Sequence, residues 1–334
     1  MTTPNNQNIT PLHPVEDGHD RLNPGIAYDP DLFADLRVNL SAVERRIGYL
    51  KGTRTVKKQW QAAWMLKAIS CIDLTTLKGD DTKGRVRRLA AKAKSPVRPD
   101  LLEALGVQDL NLTTGAICVY HSMVETAVEA LDGTGIPVAA VSTGFPAGHN
   151  PHDLKLKEIE ASVKAGAKEI DIVISRRNVL TGNWRALYDE VKDFREACGP
   201  AHMKTILATG ELATLTNVAK ASQVAMMAGS DFIKTSTGME SMNATLPVSL
   251  VMVRAIRDYM EHTGYAVGFK PAGGISTAKD SLTYLMLMKE ELGHRWVQPD
   301  MFRFGASSLL GDIERQLEHF VTGRYSASNR HAMG

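Results

Sequence analysis

Beyond residue 70, short apolar runs alternate with longer stretches in which apolar residues recur every three or four positions. The short runs are typical of buried β-strands, and the longer spacing is typical of amphipathic helices. The pattern predicts strands at residues 70–75, 115–120, 137–142, 168–174, 202–208, 230–235, 265–270 and 301–305. It predicts helices at residues 151–165, 183–197, 213–228, 245–262, 277–292 and 308–321.

Strands that are separated by helices cannot form hairpins, so they pair in parallel through right-handed crossovers. Eight such units in about 250 residues predict an α/β fold of the (β/α)₈ type, a TIM barrel. The alternative is an open, doubly wound parallel sheet. No G-x-G-x-x-G motif follows the first strand, which disfavours the dinucleotide-binding form of that alternative.

The remaining segments lie at the two ends of the chain. Residues 1–29 are rich in Asn, Pro and Thr and predict a flexible or loosely docked tail. Residues 30–68 predict an N-terminal helical extension that either covers one end of the barrel or forms a subunit contact, and the second reading predicts a homodimer. The predicted barrel spans residues 69–322, and residues 323–334 form a C-terminal tail.

Composition narrows the class of protein. A hydrophobic content of 43% is too high for a disordered chain. A balance of 39 basic against 37 acidic residues predicts no nucleic-acid partner, although a small anionic substrate needs only a local site. Three cysteines without metal-binding spacing favour the cytoplasm. With no signal peptide and no long apolar run, we expect no membrane partner.

Two lysines end neighbouring predicted strands, where catalytic groups of such barrels lie. Lys234 ends the segment DFIK, and Lys270 ends AVGFK, so apolar residues precede both lysines. Burial lowers the pKa of a lysine, and a second ammonium group nearby lowers it further. A neutral amine can then attack a carbonyl group and form a Schiff base. The alternative is that each lysine reaches solvent or pairs with a carboxylate.

A carboxylate lies in another apolar strand, KEIDIVI. Strand alternation places Asp171 on one face together with Glu169 and Val173. A buried aspartate needs a partner, so Asp171 either relays protons for the lysines or forms a plain ion pair with one. Lys204 and Asp73 can join the same polar group, with structural and catalytic roles equally open.

The last two strands are followed by a second kind of signal. The segments PAGG (271–274) and GASS (305–308) stand where TIM barrels often bind phosphate through backbone N–H groups and a helix N-terminus. The alternative for Ser307 and Ser308 is simple helix capping. The two segments together favour a phosphate site.

Seven segments together resemble the deoxyribose-phosphate aldolase family, over roughly residues 60–325: CIDLTTL, AICVY, EIDIVI, TGEL, DFIKTSTG, VGFKPAGG and RFGASSLL. The resemblance implies a class I aldolase on a TIM barrel that uses no cofactor and no metal. It implies reversible cleavage of 2-deoxy-D-ribose 5-phosphate to D-glyceraldehyde 3-phosphate and acetaldehyde, a step of deoxyribonucleotide catabolism.

The resemblance also implies site residues. Lys234 is the expected Schiff-base lysine, Lys270 the second lysine that perturbs its pKa, and Asp171 the general acid and base. The implied substrate-binding residues are Asp73, Cys118, Lys204, Thr235, Gly238, Gly273, Gly274, Gly305, Ser307 and Ser308.

Two positions depart from the family pattern, and two other functions remain as alternatives. Ala208 stands where family members often have a carboxylate, and Tyr325 lies within the tail rather than at its end. His149 and His152 would have to bind the ion of a metal-dependent aldolase or of another sugar-phosphate barrel enzyme, but their i, i+3 placement in a loop is not typical of a metal site. A sugar-phosphate sensor without catalysis is the other alternative.

Overall fold

The computed structural model describes residues 22–327 and 329–331. Its strands are β1 (Ile72–Thr75), β2 (Ala116–Tyr120), β3 (Val138–Val141), β4 (Glu169–Val173), β5 (His202–Ile206), β6 (Phe232–Lys234), β7 (Gly268–Lys270) and β8 (Phe304–Ala306). Its helices are α1 (Leu40–Thr53), α2 (Lys58–Ser70), α3 (Lys83–Lys94), α4 (Pro99–Ala104), α5 (Val124–Ala130), α6 (His152–Lys164), α7 (Arg176–Leu180), α8 (Trp184–Cys198), α9 (Leu215–Met227), α10 (Leu246–Thr263), α11 (Ala278–Leu292) and α12 (Leu309–Thr322).

The strands form one parallel sheet in the order β7-β6-β5-β4-β3-β2-β1-β8. Two parallel bridges, Phe269 with Phe302 and Ala272 with Gly305, connect the outer strands and close the sheet. Each strand is followed by at least one helix, so the predicted (β/α)₈ barrel is confirmed and the open sheet is wrong.

The last strand lies further along the chain than predicted. Residues 301–305 were expected to form it, but Met301 and Phe302 donate backbone hydrogen bonds to the carbonyl oxygen of Gln298. These bonds form a turn, so β8 begins only at Phe304. The shift moves Gly305 from the end of the strand to its middle, beside Asp73 of β1.

The N-terminal segments pack on the barrel. The buried Asn23 donates from its backbone to Asp231 Oδ1 at 2.6 Å and from its side chain to Met226 O at 2.8 Å. Helix α1 packs against α10 and α11, and α2 packs against α11 and α12. The domain boundaries at residues 29, 68 and 322 stay predictions, and most of the predicted tail, residues 1–21, lies outside the described residues.

Within the described ranges, no helix combines the length and the apolarity that a bilayer crossing requires.

Candidate active site

Lys234 and Lys270 end adjacent strands and are direct neighbours in the β6–β7 register. Both amines reach one carboxylate oxygen of β4. Lys234 Nζ donates to Asp171 Oδ2 at 2.7 Å, and Lys270 Nζ donates to the same oxygen at 2.8 Å. All three side chains are buried. The structure therefore brings together the three residues that the sequence singled out for catalysis.

A second group of charges lies beneath them. Lys270 Nζ also donates to Asp73 Oδ2 at 2.5 Å, and the other oxygen of Asp73 accepts from Arg303 Nη1 at 2.6 Å. Arg303 Nη2 donates to Glu169 Oε1 at 2.9 Å, while the second Glu169 oxygen accepts from Lys204. Lys204 Nζ lies 3.5 Å from Asp171 Oδ1, which closes the network into a ring.

We call this network the polar cluster. Its members are Asp73, Glu169, Asp171, Lys204, Lys234, Lys270 and Arg303, which are all buried inside the barrel. It contains four basic and three acidic side chains. If one lysine is neutral, its charges balance.

The environments of the two strand-end lysines shift their pKa values in opposite directions. Burial lowers the pKa of Lys234 below its ordinary value, and Lys270 lowers it further against the opposing effect of Asp171. Burial also acts to lower the pKa of Lys270, but the carboxylates of Asp171 and Asp73 outweigh it and raise that pKa. Lys234 is therefore the better candidate for a neutral amine.

Two further titratable groups lie beside Lys234: Asp171, which is ionised at pH 7, and Cys118, which is neutral. Burial alone would raise the pKa of Asp171, but the ammonium groups of Lys234, Lys270 and Lys204 hold that pKa well below its usual range. Burial raises the pKa of the Cys118 thiol to about 11, so it is neutral at pH 7. Asp171 Oδ1 accepts no hydrogen bond from the described part of the chain, and the ammonium group of Lys204 lies 3.5 Å from it.

Lys234 opens onto a cavity of about 590 Å³ at the strand ends. Five basic residues line this cavity, and none of its lining residues within the described ranges is acidic. The basic residues are Lys78, Arg85, Arg88, Lys92 and Lys234. Such a cavity favours an anionic ligand.

The predicted phosphate segments form another wall of the same cavity, which Gly238, Gly273, Gly274, Gly305, Ser307 and Ser308 line. Neither the hydroxyl nor the backbone N–H of Ser307 and Ser308 has a hydrogen-bond partner among residues 22–327 and 329–331. Both serines stand directly before α12, so these free donors lie at a helix N-terminus.

Three of the predicted substrate-binding residues contact the protein itself. Thr235 Oγ1 donates to Ala272 O at 3.3 Å and accepts from Ala272 N at 3.0 Å, which ties β6 to the PAGG segment. The N–H of Gly238 donates to Glu240 Oε2 at 3.2 Å. Lys204 lies among carboxylates and is not among the cavity's lining residues.

Sequence reasoning missed Arg303 and the basic face of α3. Arg303 lies in the predicted run MFRFG, where a charged residue inside an apolar strand was a usable signal. Arg85, Arg88 and Lys92 have the i, i+3, i+7 spacing of one helix face. Glu169 was placed on the face of Asp171 but given no role.

The two positions that depart from the family pattern, and His152 of the metal-site alternative, are not among the lining residues of this cavity. Tyr325 stacks on His319 with ring centroids 4.1 Å apart and is not among the cavity's lining residues. His152 Nε2 lies 2.8 Å from Asp193 Oδ2, and its ring stacks on Phe194. Ala208 is fully buried with a left-handed backbone (φ 56°).

The barrel and a lysine-bearing cavity at its strand ends define a TIM-barrel enzyme. The family model described as DeoC/LacD family aldolase matches residues 67–311. The chain belongs to this family of aldolases.

Named relatives extend the match beyond the family model. A Homo sapiens deoxyribose-phosphate aldolase is 60% identical over 307 residues, 91% of this chain and 96% of that protein. The Mus musculus protein of the same name is 61% identical over 305 residues, with the same coverage. The solved deoxyribose phosphate aldolase of Aeropyrum pernix, described as tetrameric, shares the fold with a TM-score of 0.56 at 21% identity, covering 79% of this chain and 98% of that one.

Proposed function

We propose that the chain is a class I deoxyribose-phosphate aldolase that cleaves 2-deoxy-D-ribose 5-phosphate to D-glyceraldehyde 3-phosphate and acetaldehyde. One observation carries the chemistry: Lys234, buried beside Asp171 and Lys270, opens onto a cavity with basic walls. The names of the relatives with about 60% identity support the choice of substrate.

Schiff-base formation is the first step. The neutral amine of Lys234 adds to C1 of the open-chain aldehyde, and a water molecule leaves to give an iminium ion. The ammonium of Lys270, which two carboxylates keep charged, is placed to donate the proton that the leaving hydroxyl needs. Asp171 contacts both amines and is the group through which that proton is exchanged.

Carbon–carbon cleavage follows. The iminium ion is an electron sink, so the C2–C3 bond breaks and its electron pair forms an enamine on C1 and C2. The proton of the C3 hydroxyl passes to Asp171, which acts as the general base, and D-glyceraldehyde 3-phosphate leaves. Protonation of the enamine at C2 and addition of water to the iminium then release acetaldehyde and the free amine of Lys234.

The phosphate group takes the other part of the cavity. Ser307 and Ser308, with their free donors, and Gly273, Gly274 and Gly305 line the same cavity as the basic face of α3. A phosphate bound there receives hydrogen bonds and positive charge together. This arrangement orients the sugar with its aldehyde towards Lys234.

Reductive trapping tests the proposal. The protein is incubated with acetaldehyde and cyanoborohydride, and the modified peptide is mapped by mass spectrometry. We expect an added ethyl group on Lys234 and none in Lys234→Met. An adduct on Lys270 instead, or full aldolase activity in Lys234→Met, would overturn the proposal.

A further inference from the structure

Arg303 is the basic residue of the polar cluster that the proposed reaction does not use. It is buried at 6% exposure and donates to Asp73 Oδ1 at 2.6 Å and to Glu169 Oε1 at 2.9 Å. A guanidinium group stays charged under all ordinary conditions, and its planar fork suits two carboxylates at once. Arg303 is thus the permanent charge of the cluster.

Each carboxylate that Arg303 holds also binds one lysine. Asp73 accepts a hydrogen bond from Lys270 through Oδ2, and Glu169 accepts one from Lys204 through Oε2. Both lysines then approach Asp171, the partner of Lys234. Two routes of direct contacts therefore lead from Arg303 to the amine that is proposed to react.

Arg303 sets the net charge of the polar cluster. With four basic and three acidic groups, the cluster carries a net charge of +1 when every lysine is protonated, and losing one proton makes it neutral. Lys204 and Lys270 each contact two carboxylates, whereas Lys234 contacts one. Lys234 therefore loses its proton most readily.

We propose that Arg303 is a positioning residue, which keeps Asp73 and Glu169 ionised and aimed at Lys270 and Lys204 so that Lys234 is the lysine that becomes neutral. The inference rests on the proposed function of Lys234 and adds a residue to it. Without Arg303, three lysines face three carboxylates, and the cluster is neutral with every lysine charged. Lys234 then holds its proton more tightly.

The charged and titratable groups around Lys234 come from several elements of the barrel. Asp171 on β4, Lys270 on β7 and Cys118 on β2 act on Lys234 directly. Asp73 on β1, Glu169 on β4, Lys204 on β5 and Arg303 just before β8 are connected to it through Asp171 and Lys270. The cavity onto which Lys234 opens adds Lys78, Arg85, Arg88 and Lys92. Because the variant Arg303→Met changes one of these charges and leaves the others in place, its effect on protonation can be assigned.

The test is the pH profile of kcat/KM together with the pH dependence of cyanoborohydride trapping at Lys234. In Arg303→Met, we expect the midpoint of both profiles to move to higher pH by about one unit or more, since a nearby positive charge has been removed. Activity lost at neutral pH should return in part at alkaline pH. Arg303→Lys restores the charge without the two-pronged contact and should bring the midpoint most of the way back.

A matched control separates this effect from loss of stability. Arg195 is another largely buried arginine, which donates to Asp231 Oδ2 at 2.6 Å on the α8 side of the barrel. Arg195→Met should lower the urea midpoint of unfolding but leave the pH midpoint unchanged. A folded Arg303→Met enzyme with the wild-type pH profile would refute the role of Arg303. A wild-type enzyme not trapped at Lys234 would instead refute the proposed function.

Discussion

Lys234 and Lys270 share one oxygen atom: Asp171 Oδ2 accepts from Lys234 at 2.7 Å and from Lys270 at 2.8 Å. Two ammonium groups this close repel each other, so one of them gives up its proton more readily. Lys270 has a second carboxylate, Asp73, at 2.5 Å, whereas Lys234 contacts no second carboxylate among the described residues. In the proposed mechanism, the asymmetry of these contacts favours Lys270 as the acid and Lys234 as the nucleophile.

Replacing Lys270 tests that asymmetry. In Lys270→Met, Asp171 faces Lys234 without the ammonium group of Lys270, so we expect the pKa of Lys234 to rise. Because the neutral amine exists only above that pKa, the rising limb of the pH profile for trapping should move to higher pH. Turnover should fall by roughly 10²–10⁴-fold, the usual contribution of a proton-transferring group.

Lys270→Met is suitable for measurement because Asp73 still has Arg303 as an ion-pair partner when Lys270 is removed. The folded state should therefore survive, which circular dichroism and a urea titration will show. A folded Lys270→Met enzyme with the wild-type pH profile would refute the coupling between the two lysines.

Replacing Asp171 separates proton transfer from binding. Asp171→Asn keeps the size of the side chain but removes the charge between the two amines. We expect kcat to fall by roughly 10²–10⁴-fold, while KM for the phosphorylated sugar changes little, because the proposed phosphate contacts lie on other segments. Steady-state kinetics measure both quantities. An unchanged kcat with a raised KM would assign Asp171 to binding instead.

The sequence singles out Lys234, Lys270 and Asp171, which the structure brings into contact, because each signal is local. A lysine at the end of an apolar run and an aspartate within one are unusual wherever the strands end up. The role of Arg303 depends on contacts with Asp73 and Glu169, which are 230 and 134 residues away in the chain. No local pattern contains such a pairing, so only the closed barrel reveals it.

The basic face of α3 was missed for a different reason. No helix was predicted between the first two strands, since apolar positions are sparse there and Arg and Lys dominate residues 83–94. Without the helix, the spacing of Arg85, Arg88 and Lys92 has no structural meaning. In the barrel, this face lines the same cavity as the predicted phosphate segments PAGG and GASS, which lie nearer the other end of the chain.

Arg88 gives a test of phosphate recognition. Its guanidinium lines the cavity and has neither an ion pair nor a hydrogen bond among the described residues, whereas Arg85 pairs with Asp80 and Asp81. We expect Arg88→Met to raise KM for 2-deoxy-D-ribose 5-phosphate roughly tenfold or more, the effect of losing one hydrogen bond to a charged group, about 1.5–3 kcal/mol. Cleavage of unphosphorylated 2-deoxyribose should not change.

The adjacent arginine supplies the control. Arg87 is exposed on the same helix, lies 3.4 Å from Glu129 and is not among the cavity's lining residues. A surface pair of this kind contributes little, so Arg87→Met should leave both substrates unaffected. Equal losses for phosphorylated and unphosphorylated sugar in Arg88→Met would remove Arg88 from phosphate binding.

Gly305 tests how closely the two phosphate segments must pack. Its N–H donates to Pro271 O at 2.9 Å, and a Cβ at this position would lie 2.7 Å from Ala272 Cβ and 3.3 Å from Lys270 Cε. In Gly305→Ala, the PAGG segment therefore has to move away from β8. We expect a loss of about 1–3 kcal/mol in the free energy of unfolding, the usual cost of overpacking, together with a higher KM for the phosphorylated sugar.

Gly311 is the matched control for this substitution. It lies in α12, where an added Cβ meets no described atom within 4 Å apart from the backbone of its own helix. Gly311→Ala should stabilise the protein by roughly 0.5–1 kcal/mol, because alanine loses less conformational freedom in a helix, and its KM should equal that of the wild type. If Gly305→Ala unfolds and binds like Gly311→Ala, the contact between the two segments is loose, and phosphate binding does not depend on it.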